Sequence, residues 1–195
     1  LRAFWGTYGR RWDWQTLRKN GGGLLNNHGS HALSLVLPLL GAPVVRVQAE
    51  LRNIKDAGDA EDHVHMFLKT DGNVSADIMI STAVAQNCPK WMLCGKSGTL
   101  VIEGTLANNG ETSRLRYFDA TKVPPIAVLD AAAPGRQYWK EELAWEVKEL
   151  AIEPPPVRTF HENVYDVLRN GEEPVVTPES AVEVMRVIEL ARLSA

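Results

Sequence analysis

A glycine-rich stretch, residues 21–41, constrains the fold of this chain more than any other. Three glycines lead into residues that recur at spacings of three and four, which is the period of a half-buried helix. The periodic residues are Leu24, Leu25, His28, Leu35, Val36, Leu39 and Leu40. The pattern predicts a helix that ends at Gly41, a residue type that suits the position just after a helix. Pro38 predicts a kink or early fraying, because its nitrogen cannot donate to a helical carbonyl.

One edge of this predicted helix is polar. Asn27 and His31 lie four residues apart and Ser34 follows three residues later, so that all three share a face. An amide, an imidazole and a hydroxyl on a helix this apolar can form a ligand site. The same pattern also fits a helix whose polar edge faces solvent.

Length and charge limit the classes to which the protein can belong. Its 195 residues, 45% of them hydrophobic, suffice for one domain with a core. The net charge of −3 and the lack of a Lys/Arg run argue against a nucleic-acid partner. No apolar run approaches the roughly 18 residues of a membrane span, so no membrane partner is expected. The chain begins at Leu1 without a signal pattern, which indicates a piece of a longer protein.

The cysteines indicate the compartment. Cys88 and Cys94 are the only two in the chain, and they do not form a CxxC motif. Two thiols in a chain of this length do not make a disulfide framework, although a single bridge between them is an alternative. Reduced thiols are typical of the cytoplasm, where we expect the protein.

The leading segment, residues 1–20, is rich in aromatic and arginine side chains and keeps no period of two or 3.6. It is therefore predicted to be irregular. One interpretation is a hydrophobic flap over a sheet or over the helix. The other is a wall of a ligand pocket, in which Arg11 and Trp14 would contact a hydroxylated or anionic substrate.

Residues 43–153 are predicted to form a sheet, because apolar and polar residues alternate in its first strands. Asp71-Gly72 predicts a type I′ hairpin turn. Residues 139–150 have a helix-favouring composition, although the family resemblance described below favours an extended chain there. The predicted strands before them are residues 45–52, 63–69, 74–81, 91–94, 99–103 and 114–118.

His63 and His65 point to one face of their predicted strand. They are either two metal ligands or two surface histidines. No third ligand has a matching spacing, so no metal site is expected.

Residues 157–195 are predicted to form the C-terminal helices. The first runs from about residue 158 to Asn170, and its apolar face contains Phe160, Val164, Val167 and Leu168. The second begins after Thr177, whose hydroxyl can accept from free N–H groups, with Pro178 in the first turn. Its predicted buried stripe is Ala181, Val184, Met185, Ile188 and Ala191. The fold class is therefore α+β, with a largely antiparallel open sheet and helices packed on one face.

Three stretches together resemble the C-terminal domain of the Gfo/Idh/MocA family of NAD(P)-dependent sugar and cyclitol oxidoreductases. They are GGGLLNNHGSHALS from Gly21, RRWDWQTLRKN from Arg10, and TFHENVYDVLRNGEEPVVTPESAVEVMRVIELARLS from Thr159. The family pattern has a glycine run, an Asp, a Gly, and a His four residues after the Asp. Gly29 and His31 match this pattern, whereas Asn27 and Ser34 stand where Asp is usual.

The resemblance implies a single C-terminal domain for substrate binding and dimerisation, spanning residues 1–195. The family's N-terminal Rossmann domain and its Glu-Lys-Pro segment have no counterpart in the sequence, and Gly21 to Gly23 do not form the G-x-G-x-x-G turn. NAD or NADP would be bound mainly by the absent domain, and no cofactor-binding residue is assigned here.

The resemblance also implies roles for individual residues. His31 corresponds to the family's acid/base histidine, which acts in hydride transfer to or from a sugar, cyclitol or related polyol. Asn27 replaces its carboxylate partner, and an amide cannot take a proton at neutral pH. Arg11, Trp14 and Ser34 are the predicted substrate contacts. A degenerate family member kept for dimerisation or binding, and an NAD-dependent glycoside hydrolase, remain the alternatives.

A homodimer or higher homo-oligomer is expected through the sheet. Phe67 and Met79 lie among polar residues on the face opposite to the predicted core side, and tryptophans from other strands are candidates to join them. Such a mixed surface is typical of interfaces, and the family commonly pairs two copies through this face. The other interpretation is scattered apolar residues on a monomer.

Overall fold

The computed structural model describes residues 1–86, 88–103, 112–124, 141–151 and 159–195. The strands are β1 (Arg2–Gly6), β2 (Val44–Arg52), β3 (His63–Thr70), β4 (Ser75–Ser81), β5 (Trp91–Cys94), β6 (Gly98–Glu103), β7 (Thr112–Tyr117) and β8 (Glu146–Leu150). The helices are α1 (Ser30–Leu40), α2 (Phe160–Asn170) and α3 (Pro178–Ser194). Within the described ranges, a π turn over Leu25–Gly29 continues directly into α1.

The eight strands form one open sheet in the order β2-β3-β4-β1-β5-β6-β7-β8. The pairing of β1 with β4 is parallel, and every other pairing is antiparallel. The predicted α+β class with a largely antiparallel open sheet is therefore confirmed.

The leading segment contains a strand at the centre of this sheet, so the prediction that it is irregular was wrong for residues 2–6 and holds for residues 7–20, which form only short 3-10 turns and loops. In β1, Ala3, Phe4 and Trp5 are all buried. A strand that is covered on both faces shows no alternation of apolar and polar residues, and a five-residue strand offers little pattern of any kind. Trp5 packs edge to face on Trp91, with ring centroids 5.1 Å apart.

The paired strands β3 and β4 alternate as predicted, with Val64, Met66 and Leu68 buried on one face. In β2, a bulge between Val44 and Arg46 shifts the register, so Val44 is buried and Val45 is exposed. The strand predicted from residue 45 therefore begins one residue earlier, and Val45 does not lie on its buried face.

The hairpin between β3 and β4 has the predicted position but a different turn. The backbone N–H of Thr70 donates to the carbonyl of Val74, so three residues separate the bonded pair. Gly72 does not adopt a positive φ, which a type I′ turn would require.

The core lies between one face of the sheet and the helices α1 and α3. The side chains that α1 buries include Ala32, Leu33 and Val36, whereas Leu35 and Leu39 are more than half exposed. Of the predicted periodic residues, Leu24, Leu25, Val36 and Leu40 are buried as expected. The prediction was wrong for Leu35 and Leu39 and missed Leu33, because this helix is apolar around most of its circumference and periodicity cannot choose a face. The helix also continues past Pro38 to Leu40 before it ends at Gly41, whose φ is +64°.

The third helix begins as predicted, since the Thr177 hydroxyl accepts from the Ser180 N–H at 3.1 Å. Its buried residues are Val184, Val187, Ile188 and Ala191. Met185 is 57% exposed, so its predicted burial was wrong, and Ala181 is exposed as well.

The second helix is well capped but packs little. Thr159 and Glu162 form a reciprocal capping box, and Gly171 ends the helix with a positive φ. No residue of α2 is buried, and Phe160 and Leu168 are about three-quarters exposed. The predicted burial of this apolar face is therefore not observed; the predicted start near residue 158 lies outside the described residues.

The far half of the sheet follows the predicted strands. β5 and β6 pair as a hairpin, β7 covers residues 112–117, and the extended prediction for residues 139–150 holds for β8. Residues 125–140 and 152–158 lie outside the described ranges.

Cys88 and Cys94 are unbridged and exposed. Among the helices in the described ranges, none combines the length and apolarity that crossing a membrane requires.

Candidate active site at the start of the first helix

The three glycines form a turn that presses the leading segment against the start of the first helix. Gly21 and Gly23 have φ values of +71° and +112°, which side-chain-bearing residues rarely adopt. A Cβ on Gly22 would lie 2.3 Å from the carbonyl oxygen of Gln15. The glycine run is thus needed for a close backbone approach between the two segments.

A carboxylate occupies the N-terminus of this helix. Glu61 Oε1 accepts from the Leu25 N–H at 3.1 Å, and the Glu61 carbonyl accepts from the Leu24 N–H at 2.9 Å. Free N–H groups at a helix N-terminus are what a phosphate would bind. Here a side chain of the same chain takes that place, so the glycine run has a structural role and does not form a phosphate cradle.

Asn27 lies in the π turn and faces the leading segment. Its Nδ2 donates to Gln15 Oε1 at 2.9 Å, in a half-buried contact. Its backbone N–H donates to the Gly23 carbonyl at 3.1 Å. π turns within helices are frequent at functional sites, because they widen one turn and redirect its side chains.

His31 and Ser34 are exposed on α1. The Ser34 hydroxyl donates to the His31 carbonyl at 2.8 Å, so its proton is used within the helix and its oxygen remains available as an acceptor. Both residues border a groove of about 600 Å³ between α1 and the start of α3. The apolar side of the groove is lined by Leu37, Pro38, Val175, Val176, Val184 and Met185.

Arg11 and Trp14 lie on the leading segment at different degrees of exposure. The guanidinium of Arg11 donates to Asp13 Oδ2 at 2.8 Å, and its backbone N–H donates to Asp56 Oδ1 at 3.0 Å. Trp14 is 59% exposed in a 3-10 turn that Asp13 caps. Its indole ring is therefore free to stack on a ligand.

The loop over residues 53–62 holds the leading segment in place. Asp62, almost fully buried, accepts from the N–H groups of three consecutive residues, 54–56, at 2.7 to 3.0 Å. This fixes Lys55, which donates to the Gly9 carbonyl and to Asp56 Oδ1. The carbonyl of Thr16 accepts from the Ala60 N–H at 3.0 Å. The turn that carries Trp14 and Gln15 is thus anchored to a rigid polar loop.

His28 belongs to the site although the sequence placed it in the buried stripe. Burial lowers the pKa of its imidazole, and the positive charges of Arg11 and His31 lower it further. Arg11 and His31 therefore both lie within electrostatic reach of His28. The sequence did offer a signal for His28, since it stands between the polar residues Asn27 and His31. It was missed because its spacing also fits the apolar period of the helix.

At the start of the first helix, Asn27 is bonded to Gln15, and His28 lies within electrostatic reach of Arg11 and His31. Ser34 lies one turn further along, beside the groove, and Trp14 lies on the exposed rim. His65, by contrast, is bound to Asp77 on the sheet, with His65 Nε2 2.6 Å from Asp77 Oδ1. In the described ranges, no three ligating side chains come close enough to hold a metal ion.

The chain is similar to a known domain family and to solved structures. Residues 1–101 match the family model described as the GFO/IDH/MocA C-terminal domain. The whole chain superposes on an NAD-binding protein from Listeria innocua, with 25% identity and a TM-score of 0.74, and covers 55% of that protein. A search of curated proteins gives no significant match.

Two further solved structures share the fold. One is provisionally described as the oxidoreductase yvaA from Bacillus subtilis, with 18% identity and a TM-score of 0.70. The other is provisionally described as an NADPH-dependent oxidoreductase from Desulfitobacterium hafniense, with 17% identity and a TM-score of 0.72. The match covers 99% of this chain in both cases, and 54% and 53% of those proteins. The chain therefore spans about half the length of the solved structures it matches.

Proposed function

Because the chain belongs to the GFO/IDH/MocA family, as its C-terminal domain, we propose that it is the substrate-side domain of an NAD(P)-dependent oxidoreductase. The proposed substrate is a sugar, a cyclitol or a related polyol, and the reaction is hydride transfer. The observation that carries the proposal is that His31 borders an open groove one helical turn after Asn27. These side chains offer donors, an acceptor and an exchangeable proton, which are the groups that a polyol requires.

In the proposed reaction, His31 exchanges the proton of the reacting hydroxyl. Oxidation of an alcohol removes a hydride from carbon and a proton from oxygen, and imidazole is the side chain suited to hold that proton near neutral pH. The nicotinamide supplies the hydride acceptor. Asn27 hydrogen-bonds the substrate without taking a proton. Arg11, Trp14 and Ser34 contribute, respectively, a charged donor, a stacking surface and an acceptor.

The described residues fit the nicotinamide end of a dinucleotide better than its phosphates. The N-terminus before α1 is already occupied by the Glu61 carboxylate. In this proposal the remainder of the intact protein holds the pyrophosphate, and this chain supplies the wall opposite the nicotinamide. The two unpaired cysteines support a location in the reducing cytoplasm.

The isolated chain, residues 1–195, is therefore expected not to bind NADH at micromolar concentrations. The physical reason is that the glycine turn packs against Gln15 and leaves no backbone N–H groups for a pyrophosphate. Isothermal titration of the isolated chain with NADH is the measurement, and the same titration of the intact protein is the control. A micromolar dissociation constant for the isolated chain would refute the proposal that the remainder of the intact protein binds the dinucleotide phosphates.

A non-catalytic binding domain is the second candidate, and the amide at position 27 favours it. A carboxylate there could share the proton of His31, whereas Asn27 cannot take a proton at neutral pH. The gene upstream of Leu1 distinguishes the two candidates. A G-x-G-x-x-G turn and a Glu-Lys-Pro segment would support the enzyme, and their absence would support the binding domain. Glycoside cleavage by the same cofactor remains an alternative reaction for the enzyme.

We also propose that two copies pair through the open face of the sheet. On this face, Phe67 is 43% exposed, and Met79 lies diagonally across from it on the neighbouring strand, opposite His65. Around them, Asp77 accepts from Arg2 Nε at 3.0 Å and contacts His65. Apolar side chains set within a paired polar network are typical of a protein interface. Trp91, by contrast, packs towards the core beside Trp5 and does not join this face.

Phe67→Glu is expected to convert the dimer into monomers. A carboxylate at the centre of a two-fold interface would meet its own copy, and both charges would lose water without a partner. Sedimentation velocity at micromolar concentration is the measurement. Leu193→Glu, at an exposed position on α3, is the matched control and should leave the dimer intact. A single monomeric species for the unmodified protein would contradict the dimer.

A further inference from the structure

Three hydrogen bonds join Asn27 to the leading segment in a closed ring. The carbonyl of Gln15 accepts from the Gly23 N–H at 2.9 Å, and the carbonyl of Gly23 accepts from the Asn27 N–H at 3.1 Å. The ring closes through the side chains, where Asn27 Nδ2 donates to Gln15 Oε1 at 2.9 Å. Gln15 is itself held by Asp13, whose carboxylate accepts its backbone N–H at 2.9 Å.

This ring fixes the orientation of the Asn27 side-chain amide, because its Nδ2 makes the hydrogen bond to Gln15. An amide has a donor end and an acceptor end, and a rotation of 180° exchanges them. Because Nδ2 is directed to Gln15, Oδ1 is the end that remains for a ligand. A neutral Asn in this arrangement presents an acceptor oxygen, as a carboxylate would, without adding a negative charge next to His28.

We propose that Gln15 is a positioning residue for the reaction, which holds Asn27 so that its Oδ1 accepts a hydrogen bond from a hydroxyl group of the substrate. This inference rests on the proposed function, since it assumes that Asn27 contacts the substrate. It implies that the substrate group bound by Asn27 Oδ1 is a hydrogen-bond donor, such as a hydroxyl group of a polyol. It also assigns all proton transfer at the site to His31.

The test compares two substitutions at position 15 in the intact protein. Gln15→Leu keeps the approximate length and removes the acceptor, so the Asn27 amide is released. Gln15→Glu keeps an acceptor for Asn27 Nδ2 and has no donor. The reverse arrangement, in which Gln15 donates to Asn27, would make Gln15→Glu as damaging as Gln15→Leu.

The first readout is nicotinamide absorbance, with myo-inositol, D-glucose and D-xylose as probe substrates. Gln15→Leu should lower kcat/KM by about tenfold or more, because a half-buried hydrogen bond is lost in the substrate complex. Gln15→Glu should stay within about threefold of the unmodified enzyme. In an Asn27→Ala background, Gln15→Leu should have no further effect, because its role is exerted through Asn27.

The second readout does not require turnover. In nitrogen-15 NMR spectra of the intact protein, the Asn27 side-chain amide should have a hydrogen-bonded proton, which Gln15→Leu abolishes and Gln15→Glu preserves. An Asn27 amide signal that is unchanged in Gln15→Leu would overturn the inference. So would normal kcat/KM in Gln15→Leu when His31→Ala is inactive. If His31→Ala were fully active as well, the proposed function itself would fail.

Discussion

Replacing His31 by alanine in the intact protein should lower turnover by roughly 10²- to 10⁴-fold, which is the usual contribution of a general acid–base group. Binding of the dinucleotide should hardly change, because the proposal assigns the phosphates to the remainder of the intact protein and not to α1. Alanine also removes little structural support, since the His31 side chain is exposed and its backbone carbonyl still accepts from Ser34. Steady-state rates and the dissociation constant for NADH are the two measurements.

His161 provides the matched control for this substitution. It is an exposed histidine on α2, outside the grouped residues. His161→Ala should therefore retain the rate of the unmodified enzyme. A near-normal rate for His31→Ala would show that His31 takes no part in proton transfer, and would favour the non-catalytic binding domain.

The largest expected loss of stability comes from Gly58. A Cβ at this position would lie 1.7 Å from the carbonyl oxygen of Thr16, which is backbone in a buried turn and cannot move aside cheaply. Gly58→Ala should force the loop over residues 53–62 away from the leading segment and break the bond from the Ala60 N–H to Thr16. We expect the free energy of unfolding to fall by about 3 kcal/mol, as for severe overpacking.

Urea-induced unfolding of the two variants Gly58→Ala and Gly9→Ala measures this effect. Gly9 has no atom within 4 Å of a Cβ built on it, so Gly9→Ala should leave the free energy of unfolding within about 1 kcal/mol of the original. Equal free energies of unfolding for the two variants would mean that the approach of Gly58 to Thr16 is not a tight contact in solution.

The sequence predicted those parts of the fold that are marked by alternating apolar and polar residues or by helix-capping residues. The strands β3 and β4 have one buried and one partly wet face, so their period of two is visible in the residues. Thr177 and Pro178 mark the start of α3 by local chemistry that needs no tertiary context. Both signals occupy a few consecutive residues, so they can be recognised without knowing the tertiary structure.

Predictions that depended on tertiary packing were weaker. The strand β1 is covered on both faces and shows no alternation, so it was read as irregular. In α1, apolar residues occur around most of the circumference, and only the position of the sheet decides that Leu33 is buried and Leu35 is not. The apolar face of α2 was expected in the core, yet Phe160 remains 76% exposed.

The candidate site was predicted in part. The helical spacing of Asn27 and His31 is local and could be read directly. The contact between Asn27 and Gln15 joins residues twelve positions apart through a turn that exists because Gly23 adopts a positive φ. His28 was hidden because a half-buried histidine fits an apolar period as well as it fits a site.

The central claim is that the face of α1 carrying Asn27 and His31 is the wall opposite the nicotinamide. A crystal structure of the intact protein with bound NAD(H) tests this claim most directly, since it requires no knowledge of the substrate. A reacting carbon lies roughly 3 to 3.5 Å from its hydride acceptor, and the proton-accepting group lies within hydrogen-bond reach of the substrate oxygen. The account therefore predicts that nicotinamide C4 lies within about 7 Å of an imidazole nitrogen of His31. A nicotinamide on the other side of α1, or one too distant for a single sugar to bridge the gap, would contradict it.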